Sequence, residues 1–211
     1  MKLEEQDLLF EDESEGIICG ADEAGRGPLA GPVVAAAVVL PPTFPFEILN
    51  DSKKLSEEKR LNAEKIIKEK AIYAITFISE KEIDEINILN ASLLAMKKSY
   101  LEVVKKTHVD LLLVDGNKLP DLQCNMKAIV KGDAKIHEIM AASILAKCAR
   151  DRFMLEMDKQ YPEYGFKHHK GYPTEEHVLA IEKYGLSPIH RKSFHLKQKK
   201  QSLDPLQASL L

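Results

Sequence analysis

Residues 17–40 read IICGADEAGRGPLAGPVVAAAVVL. Two apolar runs flank a glycine-rich loop. Ile17-Ile18-Cys19-Gly20-Ala21 leads into Asp22-Glu23, which predicts a first strand ending at an acidic pair. Residues 32–40 are rich in valine and bounded by Gly31 and Pro41-Pro42, which predicts a second strand. Three more apolar runs predict strands at 71–78, 109–114 and 126–130. Between them the apolar spacing is helical. Helices are expected at 56–70, after the capping-box pair Ser79 and Glu82, from a cap at Asn90, over 136–157, and over 174–184 before Gly185. Adjacent strands early and strand–helix alternation later predict an α/β fold, a mixed sheet flanked by helices.

The 211 residues carry a net charge of −3, with 45% hydrophobic and 30% charged residues. That balance excludes a disordered chain. Aromatic residues make up only 6% and tryptophan is missing, which argues against an aromatic stacking platform for single strands. The charge is uneven. Residues 1–15 hold seven acids and one base, whereas residues 167–200 hold eight bases and three acids. A basic end suits a polyanionic partner or a solvated tail. The acidic start carries no apolar secretion core, and no run approaches the ~20 apolar residues of a membrane span. Three cysteines, at 19, 124 and 148, fall in no C-x-x-C pair. The expectation is reduced thiols in a cytoplasmic protein, with no zinc.

Four acids lie at or just after strand ends: Asp22, Glu23, Asp115 and Asp133. Each acidic segment also holds a glycine, which lets a ligand or backbone come close. Carboxylates gathered in one place repel unless a cation joins them. Oxygen ligands without cysteine or paired histidine favour Mg²⁺ or Mn²⁺, and two such ions can clamp both oxygens of a phosphoryl displacement. Unrelated surface acids would satisfy the same spacing. Neighbours on a strand face opposite ways, so Asp22 and Glu23 share a site only if the strand ends or bulges there.

Gly25-Arg26-Gly27 is neither a dinucleotide fingerprint nor a P-loop: it leads into a strand, and no Lys-Ser/Thr follows Gly25. What remains is a tight turn, or a loop offering N–H groups beside a guanidinium. Lys53 and Lys54 precede a helix and are candidate phosphate contacts, as are Lys170 and Arg191. Tyr172, in His169-Lys170-Gly171-Tyr172, could stack on a sugar or base. Ser143 and Lys147, four apart, share one face of the long helix, turned to the acids or to solvent.

Taken together, GADEAGRGPLAGPV (20–33), DSKKLS (51–56), INILNASLLAM (86–96), VDGNKLP (114–120), VKGDA (130–134), AASILAK (141–147) with Arg150-Asp151, HHKGYPT (168–174) and HRKSF (190–194) closely resemble bacterial ribonuclease HII, the type 2 ribonuclease H, in the family's order. The resemblance implies a ribonuclease H-like fold: a five-stranded mixed sheet, its first three strands antiparallel, flanked by helices, with a C-terminal helical segment. It divides the chain into an acidic leader (1–15), a catalytic core (16–160), a C-terminal segment packed on the core (161–197) and a tail (198–211).

The resemblance also implies an activity. The family hydrolyses RNA in RNA–DNA hybrids and nicks DNA 5′ of an embedded ribonucleotide, leaving 3′-hydroxyl and 5′-phosphate ends. Its catalytic, metal-binding carboxylates map to Asp22, Glu23, Asp115 and Asp133, with two Mg²⁺ or Mn²⁺ ions in the substrate complex. Gly25, Arg26 and Gly27 inherit recognition of the ribose 2′-hydroxyl, and Tyr172 inherits stacking on the junction sugar. Ribonuclease HIII lacks Gly-Arg-Gly and carries an added N-terminal domain. A silent nucleic-acid binder and a resolvase are competing readings, disfavoured by the intact acids and by the Gly-Arg-Gly and His-Lys-Gly-Tyr elements. Residues 207–211 loosely resemble sliding-clamp-binding peptides. A monomer is expected.

Overall fold

The computed structural model describes residues 16–49 and 55–194. The acidic leader, Lys53, Lys54 and the clamp-like tail lie outside the described residues.

Five strands form one sheet: β1 (Ile18–Ala24), β2 (Val33–Val39), β3 (Ile72–Ile78), β4 (Leu111–Asp115) and β5 (Met126–Ile129), in the order β3-β2-β1-β4-β5. The first three are antiparallel, whereas β4 runs parallel to β1 and β5 parallel to β4. This is the mixed sheet expected. Every residue of β2 is buried, since helices cover both faces. Val33, Ala35, Ala37 and Val39 pack towards helix α3 (Ile88–Val104). Ala36 and Val38 pack towards α1 (Glu57–Lys70) and α4 (His137–Gln160) on the other face. Alanine at the centre of β2 lets both helical layers come close to the backbone.

Two caps follow sequence chemistry. Ser56 caps α1, accepting from the Lys59 N–H, and Ser79 with Glu82 closes a reciprocal capping box on α2 (Glu80–Ile86). The α3 cap needs correction: it is Asn87, whose side chain accepts from the Asn90 N–H. Asn87 combines a positive φ of 65° with ψ 163°, a sparsely populated conformation outside the left-handed helical region. The first strand needs correction as well. It runs through Asp22-Glu23 to Ala24, because β2 goes on pairing with it that far.

Helix α4, 24 residues long, spans two packing regions. Its first half lies on the sheet, and Gly20 gives it room: a Cβ there would lie 2.3 Å from the Glu138 carbonyl carbon. Its second half projects Met154 into a separate cluster with Tyr164, Phe166, Ala180 and Ile189. That cluster anchors α5 (Phe166–His169) and α6 (Glu175–Tyr184). Cys19 and Cys148 are buried, and burial pushes both thiols up to about 12, so they serve as apolar packing. Among the described residues no helix is long and apolar enough to cross a membrane.

Candidate active site

The parallel register decides which acids meet. Gly20 pairs with Leu113 and Ala21 with Val114, so the next residues along the two strands are Asp22 and Asp115. On β1, Cys19 and Ala21 face α3, which turns Asp22 to the α4 side. On β4, Leu112 and Val114 face α3, so Asp115 shares the side of Asp22. The pairing of β1 with β4 stops at Ala21 while β1 continues, which leaves this edge of β1 open. Glu23 therefore reaches the same cavity as Asp22 although it alternates with it.

Asp133 comes from the turn after β5. Asp115 Oδ1 accepts the Gly132 N–H at 2.7 Å, tying the end of β4 to the turn that carries Asp133. A Cβ on Gly132 would lie 2.5 Å from Ile139 Cδ1, so glycine lets the turn dock against α4. All four acids line one cavity of about 230 Å³. Gly25, Arg26, Gly27, Ser143, Lys147, Arg150 and Tyr172 line it too.

The electrostatics are those of crowded anions. Asp22 is 4% exposed. Burial, then the neighbouring charges of Glu23 and Asp115, holds its carboxyl well above the usual range, against hydrogen bonds from Ser143 and the Glu23 N–H. Burial also raises Glu23, partly offset by Arg26, whose Nη1 lies 3.4 Å from Glu23 Oε1. Both shifts disfavour a carboxylate cluster without added positive charge. The donors are all hard oxygens, which fits Mg²⁺ or Mn²⁺. Among the described residues no three acidic, histidine or cysteine side chains are grouped tightly enough to hold a metal ion by themselves.

Other expected contacts fall differently. Ser143 faces the acids, where it donates to Asp22. Lys147 lines the cavity and is paired with Asp151 at 2.7 Å. Lys170 directs its Nζ at the Lys167 carbonyl, on the surface beside the cavity rather than in it. Arg191 needs correction as a phosphate contact: it is 1% exposed, and its guanidinium donates to backbone carbonyls of residues 25–32. Tyr172 is 43% exposed on the cavity wall, with the Arg150 guanidinium 6.0 Å from its ring centre.

Sequence reasoning missed two features. The first is Arg150, whose spacing of seven from Ser143 puts it on the same helix face. The second is a buried histidine trio. The Ser187 N–H donates to His190 Nδ1 at 2.8 Å, so neutral His190 carries its proton on Nε2. Nε2 lies 3.0 Å from His177 Nε2 and donates to it, and His177 Nδ1 donates in turn to the Tyr172 carbonyl at 3.0 Å. His169 accepts the Gly171 N–H and donates to the Tyr164 carbonyl. These rings hold the backbone on both sides of Tyr172. No residue spacing signals them, because α6 and the loops around it bring them together.

A mixed five-stranded sheet of this order, with acids gathered where β1 and β4 run side by side, defines a nuclease of the ribonuclease H-like class. Residues 19–197 match the family model described as Ribonuclease HII. The chain is 53% identical over 189 residues to the Ribonuclease HII of Vibrio parahaemolyticus, covering 89% of each. Among solved structures it resembles ribonuclease HII from Archaeoglobus fulgidus, solved in complex with PCNA (TM-score 0.70, 24% identity, 88% of this chain and 98% of that one). It also resembles Bst-RNase HIII solved with Mn²⁺ (TM-score 0.67, 17% identity, 83% of this chain and 66% of that one). The chain belongs to the ribonuclease HII family, and it is a ribonuclease H, an endonuclease of RNA–DNA hybrids.

Proposed function

We propose that this protein hydrolyses RNA in hybrids and also nicks duplex DNA 5′ of a single embedded ribonucleotide, with divalent metal, leaving 3′-hydroxyl and 5′-phosphate ends. One observation carries the reading: the four acids share a cavity with the Gly25-Arg26-Gly27 loop and Tyr172. Hydrolytic groups and groups able to test a sugar therefore sit within one nucleotide's reach.

Asp22, Glu23, Asp115 and Asp133 would hold Mg²⁺ or Mn²⁺. Bound there, the ions supply a water of lowered pKa and charge stabilisation at the leaving oxygen. The open arrangement of acids suits a site completed by the scissile phosphate. Ser143 and the Glu23 N–H orient the Asp22 carboxylate, and the Gly132 N–H orients that of Asp115. Arg26 and Gly27 offer N–H groups to a 2′-hydroxyl, the group that separates RNA from DNA at a site. The Tyr172 ring packs on the neighbouring sugar, where a second 2′-hydroxyl would be crowded. Lys53, Lys54, Lys147 and Lys170 supply positive charge along the phosphates. The catalytic core is taken as 16–160 and the duplex-holding segment as 161–197. The protein acts as a cytoplasmic monomer, and its last residues bind a sliding clamp; an Archaeoglobus ribonuclease HII of the same fold was solved in complex with PCNA.

The deciding experiment is cleavage of a labelled DNA duplex with one ribonucleotide, in Mg²⁺, in Mn²⁺ and in EDTA. A single nick 5′ of the ribonucleotide, lost in EDTA, is expected. Intact DNA with both metals, from folded protein that still cuts a hybrid, would reject ribonucleotide nicking. Retention of clamp binding after deletion of residues 206–211 would reject the role given to the tail.

A further inference from the structure

Two arginines behind the glycine-rich loop are buried without an acidic partner. Arg150 and Arg191 are each 1% exposed, and neither pairs with a carboxylate among the described residues. A buried cation without a counter-charge is costly unless hydrogen bonds replace its water. Here backbone carbonyls do so. Arg191 donates through Nε to Gly31, through Nη1 to Arg26 and Pro28, and through Nη2 to Gly25 and Pro32, at 2.6–3.1 Å. Arg150 donates to Pro32, Ala30 and Lys170, each at 3.0 Å. Every N–H of Arg191 thus holds the loop.

The consequence follows from peptide geometry. In a trans peptide the C=O and the next N–H point in opposite directions. Arg191 draws the Gly25 and Arg26 carbonyls inward, so the N–H groups of Arg26 and Gly27 face out. Neither N–H has a hydrogen-bond partner among the described residues, and both residues line the acidic cavity. Arg150 adds a second constraint. It grips the Lys170 carbonyl beside Tyr172, while the Leu29 N–H donates to the Gly171 carbonyl at 2.8 Å. The loop and the tyrosine are thereby held at a set separation. Gly25 is part of this device: a Cβ there would lie 2.2 Å from Arg150 Nε.

We propose that Arg191 and Arg150 are positioning residues for sugar selection: they fix the outward N–H groups of Arg26 and Gly27, and the gap to Tyr172, that admit a 2′-hydroxyl. The proposal rests on the ribonucleotide-directed activity given above. Lysine cannot substitute, because one ammonium offers three donors and no planar fork.

Two measurements test it. In the unmodified protein in EDTA, amide hydrogen exchange at Arg26 and Gly27 is followed with an all-DNA duplex and with the same duplex carrying one ribonucleotide. Fast exchange in the free protein, slowed about tenfold or more by the ribonucleotide duplex alone, is expected for exposed amides that become bonded. Equal exchange with both duplexes would overturn the proposal. In Arg191→Lys and Arg150→Lys, kcat/KM on the single-ribonucleotide duplex should fall about 100-fold, the scale of loss that a misplacement of about 1 Å can cause. Affinity for all-DNA duplex, which a folded protein keeps through its phosphate contacts, should stay unchanged. A folded variant that keeps both values would also overturn it. If a lysine variant does not fold, Arg191→Gln and Arg150→Gln, which keep one amide donor group each, are read by the same two values. Failure of the unmodified protein to nick at a ribonucleotide would instead remove the activity reading, which the exchange comparison does not use.

Discussion

A Cβ placed on Gly27 would lie 3.4 Å from Cε1 of Tyr172 and near no other described side chain. Gly27 and the Tyr172 ring therefore face each other closely in the lining of the cavity that holds the acids. Gly25, two residues earlier, meets the interior instead. The two glycines of one motif meet different surroundings, the Tyr172 ring at 27 and the buried Arg150 side chain at 25.

Gly27→Ala should fold normally, because 3.4 Å is ordinary contact, yet it sets a methyl against the Tyr172 ring in the cavity lining. The expected result is an unchanged melting temperature with a loss of roughly tenfold in kcat/KM on a single-ribonucleotide duplex, about 1.4 kcal/mol. Unchanged kinetics would show that no sugar enters there.

Gly25→Ala should fail differently. Gly25 has φ +100°, and the added methyl meets the Arg150 guanidinium. A destabilisation of about 2–4 kcal/mol is expected from strain and overpacking. Denaturant unfolding measures it.

Asp22→Asn should abolish hydrolysis and stabilise the metal-free fold. The sign follows from the raised Asp22 pKa. The folded state holds that proton over a range where the unfolded chain has lost it, so stability falls as pH rises from the unfolded value through the folded one. Asparagine carries no such charge. The gain of the variant over the parent in EDTA should therefore grow from pH 4 upwards, and metal should shrink it at neutral pH. Thermal melts across pH, with and without Mg²⁺, check this; a less stable variant at pH 7 would contradict it.

The histidine trio predicts the opposite slope. Burial first of all pulls His177 and His190 down to about 4. Such groups stabilise the fold fully above the unfolded value near 6.5, and that stability is lost as pH falls towards 4. Protonating His190 Nδ1 would set it against the Ser187 N–H. In His177→Gln the acid-side loss should be shallower, read from unfolding midpoints between pH 7 and 4.

Local chemistry was legible directly. Valine runs bounded by glycine and proline announced β2, and Ser79 with Glu82 announced the start of α2, because caps and strand patterns act over a few residues. The Asn87 cap escaped because Asn90, three residues on, offers the same side chain. Asp22, Glu23, Asp115 and Asp133 could be singled out because each closes an apolar run, and the family motifs agreed.

The order of residues was enough to name the parts: the strands, the acids and the glycine-rich loop. That Asp22 stands beside Asp115 came from folding, because a parallel register joins residues 93 apart in the chain. Folding also decided that Arg191, which looks like a surface cation, lies behind the loop, and that three histidines meet beneath Tyr172. Burial and hydrogen-bond partners are properties of the packed chain, and neither varies with sequence spacing.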